Sequence, residues 1–190
     1  LQVKGPTVMK GYWKRPDATA EVFTEDGWFR TGDQADLSDA GRIRIKGRIK
    51  GIIVTSTGEK IPPTDMELAI QTDPLFEQVM VVGEARPFIT ALAVVNEAEW
   101  EKFAKEFNVD PSDDRMLMRR DIRMAALKRL KKAASRFPQY GIPRNIRLLK
   151  EHWTVDNGCL TVTMKLRRPI IREKLRAEID ELYTVPQNNV

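Results

Sequence analysis

The chain has 190 residues, 42% hydrophobic and 31% charged, with a net charge of +5. That is enough chain and enough apolar content for one or two domains with a real core. No apolar run approaches the ~18–20 residues of a membrane span, and no signal peptide is visible. A single cysteine, Cys159, excludes an internal disulfide and a cysteine-based zinc site, and a single histidine, His152, excludes a His cluster for metal. His152 reads as a loop residue before Trp153. The chain opens at Leu1, inside what reads as a strand to Gly5, so it is expected to be a fragment of a longer protein.

Taken in order, residues 11–23 read as a turn followed by a short helix from Pro16, with Asp17 in its positive first turn. Residues 25–33 open with an Asp26-Gly27 turn. Residues 34–48 read as a hairpin, with Ala35 and Leu37 before the loop Ser38-Asp39-Ala40-Gly41. Ile43 and Ile45 alternate after it, and Arg42, Arg44 and Lys46 take the other face. A short strand is expected at 51–55 and a loop at 56–63 with Gly58 at its tip. Thr64 is expected to cap a helix through Gln71, with Glu67 completing a capping box. Residues 77–84 and 88–96 are the most apolar strands and are expected at the centre of a sheet.

A helix is expected from Glu97 to Phe107, with Trp100, Phe103, Ala104 and Phe107 on one face. A second is expected over about Arg115 to Phe137, where Ile122, Ala126, Leu130, Ala133 and Phe137 form a stripe. Strands at 145–150 and 160–165 flank a tight turn at 156–158. In the second of these, Val162 and Met164 point one way and Thr161, Thr163 and Lys165 the other. A last helix runs from Pro169 to about Tyr183, its inner face made by Ile171, Leu175, Ile179 and Leu182, before a loose tail. Short strands with flanking helices argue an α+β fold.

The charge is concentrated. Between Asp113 and Arg136 there are nine Arg or Lys and three Asp, so that segment alone carries +6. Such a block suits a solvated helix face, a phosphate-bearing ligand, anionic lipid or nucleic acid. It lacks the interleaved surface aromatics expected for base stacking.

Four stretches carry chemistry: GYWKRPDATAEVF (11–23), GWFRTGD (27–33), GRIKGIIVTSTGEKIPPTDME (47–67) and NGCLTVTMKLRR (157–168). In this order they resemble the C-terminal third of the adenylate-forming acyl-CoA synthetases, most closely the long-chain fatty acyl-CoA ligase branch. The resemblance implies a two-step reaction. A carboxylate attacks the α-phosphate of ATP to give acyl-adenylate and pyrophosphate, and a coenzyme A thiolate then displaces AMP. It implies ATP, Mg2+ and coenzyme A as cofactor and co-substrates, a fatty acid as substrate, and a large N-terminal domain of the same chain as partner. Residues 1–49 would be the β-rich end of that large domain. Residues 50–190 would be a small mobile lid.

On the same resemblance, Asp33 accepts hydrogen bonds from the ribose hydroxyls and Arg48 reaches ribose and phosphate. Both suit their chemistry, since a carboxylate is acceptor-only and a guanidinium is a permanent planar donor. Lys50 is the hinge, at a position where many relatives have aspartate. Thr57 and Gly58 line the coenzyme A passage. Lys165, with Arg168 three residues on, is the catalytic lysine that bridges the substrate carboxylate and the α-phosphate. Met164 stands where a glycine commonly precedes that lysine. Read from the residues alone, Asp33 is a turn aspartate, Lys50 a basic strand edge, and 56–60 an ordinary strand-to-helix loop.

No metal ligand is assigned. This chain alone is expected not to activate any acid, and a cytoplasmic location is expected, with peripheral contact at the inner membrane face left open. Two alternatives remain: an acyl-AMP ligase that delivers to a carrier protein, and a basic nucleic-acid-binding module.

Overall fold

The computed structural model describes residues 1–39, 41–48 and 51–184. Ala40 in the expected hairpin loop, Lys50 as the expected hinge and the tail from Val185 lie outside the described residues. The chain divides into two compact units, Leu1–Ile52 and Ile53–Val190.

In the first unit, β1 (Gln2–Val3) pairs antiparallel with β2 (Phe29–Arg30), and α1 spans Pro16–Val22. Proline at the helix start costs no hydrogen bond there. Asp17 sits in the first turn, where the hydrogen bond from Arg15 holds its carboxyl below the usual range. β3 (Asp33–Asp39) and β4 (Arg42–Arg48) form the expected antiparallel hairpin, with Asp33 opposite Arg48. Ser38 and Asp39, expected in the loop, belong to β3. Among the described residues of this unit no side chain is buried, and Leu37, Ile43 and Ile45 are all more than half exposed.

The second unit opens with a small hairpin, β5 (Ile53–Val54) against β6 (Lys60–Ile61), followed by α2 (Pro63–Ile70). Its sheet has the order β7-β8-β9. β7 (Phe76–Val82) runs antiparallel to β8 (Thr90–Val95), and β9 (Asn145–Leu149) runs parallel to β8. Of the two most apolar strands, only β8 is central; β7 is an edge. The parallel β8–β9 crossover carries α3 (Glu97–Glu106), a 3-10 turn at Asp114–Met118 and α4 (Arg120–Ala133).

Period-two alternation divides the apolar residues of this sheet between two cores. Val79, Val81, Ala91, Ala93, Val95, Ile146 and Leu148 face one core, closed by residues of α2, α3 and α4 such as Ile70, Trp100 and Leu130. Met80, Val82, Leu92 and Val94 face the other, closed by Trp153, Cys159, Leu160, Ile171, Ile179 and Leu182. Covered on both faces, every residue of β8 is buried.

Four expectations are corrected. The helix expected at 115–137 is broken at Arg119, whose extended ψ of 132° separates the 3-10 turn from α4, and it ends at Ala133. The last helix is split by Leu175 into α5 (Arg168–Lys174) and α6 (Arg176–Thr184). Its expected inner face still holds: Ile171, Ile179 and Leu182 are buried, and Leu175 packs against them. Thr64 does not cap α2, because the helix begins at Pro63 and makes no side-chain cap. Residues 160–165 form a tight turn in place of a strand, described below.

Candidate active site

Asp33 and Arg48 are brought together by the hairpin register. Opposite each other at its base, they form an ion pair with Arg48 Nε 3.1 Å from Asp33 Oδ1. The Arg48 guanidinium also donates to the Thr31 carbonyl at 3.5 Å, and the Asp33 amide donates to Thr31 Oγ1 at 3.1 Å. Gly32, at φ +75°, makes the turn that brings Thr31 into this arrangement. The Arg48 side chain is 69% exposed and that of Asp33 is 23% exposed. The pair is therefore open to solvent mainly on the Arg48 side.

Thr57 and Gly58 sit at the tip of the β5–β6 hairpin, both exposed. The turn is tightly bonded: the Thr55 amide donates to the Glu59 carbonyl, the Gly58 amide to the Thr55 carbonyl, and the hydroxyls of Thr55 and Thr57 lie 2.8 Å apart. Gly58 has φ +84°, and a Cβ added there would meet nothing within 4 Å. Its backbone is open to close approach by a ligand. Lys60 and Ile61 were expected in the loop; as a two-residue strand they leave no periodic signature.

Lys165 stands on a different turn. Leu160 and Leu166 form an antiparallel bridge, the Thr161 amide donates to the Lys165 carbonyl at 2.9 Å, and the Met164 amide donates to the Thr161 carbonyl at 2.8 Å. The Lys165 amide donates to Thr161 Oγ1 at 3.1 Å. Met164 closes the turn at φ +60°, in the left-handed region that favours glycine. This accounts for the glycine expected before the lysine. It also explains why the alternation misleads: Val162 and Met164 are 86% and 67% exposed, so no sheet face lies beneath them. Lys165 itself is exposed, and among the described residues its ammonium has no carboxylate partner.

The base of this turn is anchored. Arg168 donates through both terminal nitrogens to the two oxygens of Glu67, at 2.7 and 2.6 Å. Glu67 Oε1 also accepts the Val81 amide at 2.8 Å. The Glu67 side chain is 7% exposed. The capping-box expectation for Glu67 is thus replaced by a bond to a residue 101 positions away. The only sequence signal for it is the charge itself, an acid on the buried side of an amphipathic helix.

Elsewhere some of the charges are paired. In and around α4, Arg115, Arg119 and Arg129 are bonded to Asp113, Asp121 and Asp73. The hydrogen bond from Arg119 holds the Asp121 carboxyl down at about 2. His152, in a loop as expected, meets Glu77 at 3.2 Å. An open cleft of about 430 Å³ is lined by Val82, Glu84, Arg86, Arg172, Arg176 and Asp180, and none of the expected site residues lines it. Among the described residues, no group of His, Cys, Asp or Glu could hold a metal ion, and no helix is long and apolar enough to cross a membrane.

The second unit is thus a small α+β unit with its sheet covered on both faces, carrying an exposed lysine on an anchored turn. The chain belongs to the AMP-binding enzyme C-terminal domain family, whose model matches residues 50–186. It is 35% identical over 191 residues to the long-chain-fatty-acid–CoA ligase FadD15 of Mycobacterium tuberculosis, covering 96% of this chain and 31% of that protein. It is 33% identical over 194 residues to the long-chain-fatty-acid–[acyl-carrier-protein] ligase AEE15 of Arabidopsis thaliana, covering 97% of this chain and 25% of that one. Its fold matches the adenylation domain of a carboxylic acid reductase from Segniliparus rugosus, solved with AMP and a co-purified carboxylic acid. There the TM-score is 0.80 at 28% identity, over 96% of this chain and 27% of that one. The chain spans a quarter to a third of the length of the curated relatives it matches.

Proposed function

We propose that this chain is the C-terminal part of a long-chain fatty acid–CoA ligase, with residues 1–49 closing a large nucleotide-binding domain and residues 50–190 forming a lid that swings about Lys50. The observation that carries the reading is Lys165, an exposed ammonium without a carboxylate partner among the described residues, on a turn whose base is anchored. Attack of a carboxylate on a phosphate sets one anion against another. A cation shared by both lowers that barrier most where charge shifts in the transition state. In the second step the lysine must leave, because the coenzyme A thiol needs its place; a lid that swings does both. Asp33 would take the ribose hydroxyls and Arg48 the ribose and phosphate, exchanging their mutual ion pair for ligand. Thr57 and Gly58 would line the pantetheine passage by backbone. Mg2+ would arrive with the phosphates of ATP; the described residues offer it no cluster of His, Cys, Asp or Glu.

The unburied first unit supports the domain reading, since Leu37, Ile43 and Ile45 are apolar side chains that a larger fold would cover. The reading places the enzyme in the cytoplasm. The unpaired cations of α4 are there a solvated face, with contact to anionic lipid as the other use of that face.

A second reading, delivery of the acyl group to a carrier protein, is favoured by the resemblance to AEE15 at 33% identity. One experiment separates the two. The full-length enzyme is given a long-chain fatty acid and ATP, and pyrophosphate exchange is followed; coenzyme A or a holo-carrier protein is then added. Exchange followed by thioester on coenzyme A is the expected result. Thioester on the carrier alone selects the second reading, and no exchange with any fatty acid overturns both.

A further inference from the structure

We infer that Glu67 is a positioning residue for the adenylation step, acting through Arg168 on Lys165. The inference rests on the reading of Lys165 given above. Glu67 is the one place where α2, the edge strand β7 and the lysine turn are joined by the same two oxygens. Its carboxylate takes both arms of Arg168 and the Val81 amide. A planar two-armed pair fixes orientation as well as distance, which a lysine in place of Arg168 could not do.

From Arg168 the constraint passes back along the chain without a slack residue. The Arg167 amide donates to the Cys159 carbonyl at 2.8 Å, Leu166 bridges Leu160, and Lys165 is bonded at both its amide and its carbonyl to Thr161. Cys159 and Leu160 are themselves buried in the second core. Three residues span at most ~10–11 Å, and these bonds make the lysine turn and the Arg168 anchor one connected unit. Glu67 makes no helix cap, and a carboxylate buried this deeply is an expensive way to hold a helix against an edge strand.

The test uses the full-length enzyme with Glu67→Gln, Arg168→Lys and, as reference, Lys165→Ala. Two half-reactions are measured: pyrophosphate exchange, and thioester formation from supplied acyl-adenylate. A misplacement of about 1 Å costs on the order of 100-fold in such chemistry. Glu67→Gln and Arg168→Lys are therefore each expected to lower kcat of adenylation by about 10- to 100-fold. KM for ATP and the rate of thioester formation should stay close to wild type. Arg168→Lys keeps the positive charge beside Glu67, and so reports even where the glutamine variant folds poorly. Equal losses in both half-reactions, or no loss in either, would show Glu67 to be structural only and overturn the inference. If Lys165→Ala itself retains adenylation, the failure belongs to the reading of the lysine and is seen as such.

Discussion

Lys165, on its tight turn, and Arg168, the first residue of α5, are cations three positions apart, and they are used in opposite ways. Arg168 is mostly buried, with both arms on Glu67, whereas Lys165 extends into solvent with no carboxylate partner among the described residues. A paired cation holds structure because its charge is already neutralised. An unpaired one keeps its field for a ligand. The same division runs through the basic block, where Arg115, Arg119 and Arg129 are bonded to aspartates while Lys128, Lys131 and Lys132 form no ion pair among the described residues.

Breaking the paired side should cost stability. Glu67→Ala leaves Arg168 and the Val81 amide without their acceptor. The lower end of about 3–5 kcal/mol is expected in denaturant unfolding, since Arg168 keeps some access to water. Lys165→Ala should leave the melting temperature where it was; a large drop would mean the lysine is paired after all.

A smaller effect is expected at Asp73. Burial raises its pKa, but the hydrogen bonds from Arg129 and the Leu75 amide, with the Arg129 charge, outweigh it and hold the carboxyl below its ordinary value of 3.8. A depressed carboxylate stabilises the fold above its unfolded pKa, and that contribution is lost as pH falls through the folded one. Asp73→Asn should cost about 1 kcal/mol at neutral pH, and the gap in melting temperature from wild type should begin to narrow below pH 3.8 and close once pH has fallen through the lower folded value. A gap that persists there would assign the effect to packing.

The smallest effect is at Met164. Left-handed backbone costs a non-glycine residue about 1–2 kcal/mol, while glycine gives back about 0.5–1 kcal/mol through its unfolded freedom. Met164→Gly should therefore stabilise by about 0–1.5 kcal/mol.

What the sequence showed and hid follows from the range of the interactions. The two apolar strands were legible because Val79 to Val82 and Ala91 to Val95 are apolar at every position, though not that β7 is an edge, and the hairpin that pairs Asp33 with Arg48 is a local structure. Glu67 satisfied a local spacing, Thr64 plus three, and so was read as a cap, while its actual partner lies 101 residues away. The Lys165 turn was read as a strand because exposed residues on a tight turn also alternate, and methionine gives no sign of a positive φ. The breaks at Arg119 and Leu175 involve neither glycine nor proline, the residues that usually announce them.

The central claim is that Lys165 serves adenylation and is withdrawn for thioester formation. It is tested most directly by pyrophosphate exchange in full-length Lys165→Ala, set beside its rate of thioester formation from supplied acyl-adenylate. The account predicts a loss of about 100- to 1000-fold in exchange, with a far smaller change in the second step. Equal rates of exchange in variant and wild type would contradict it.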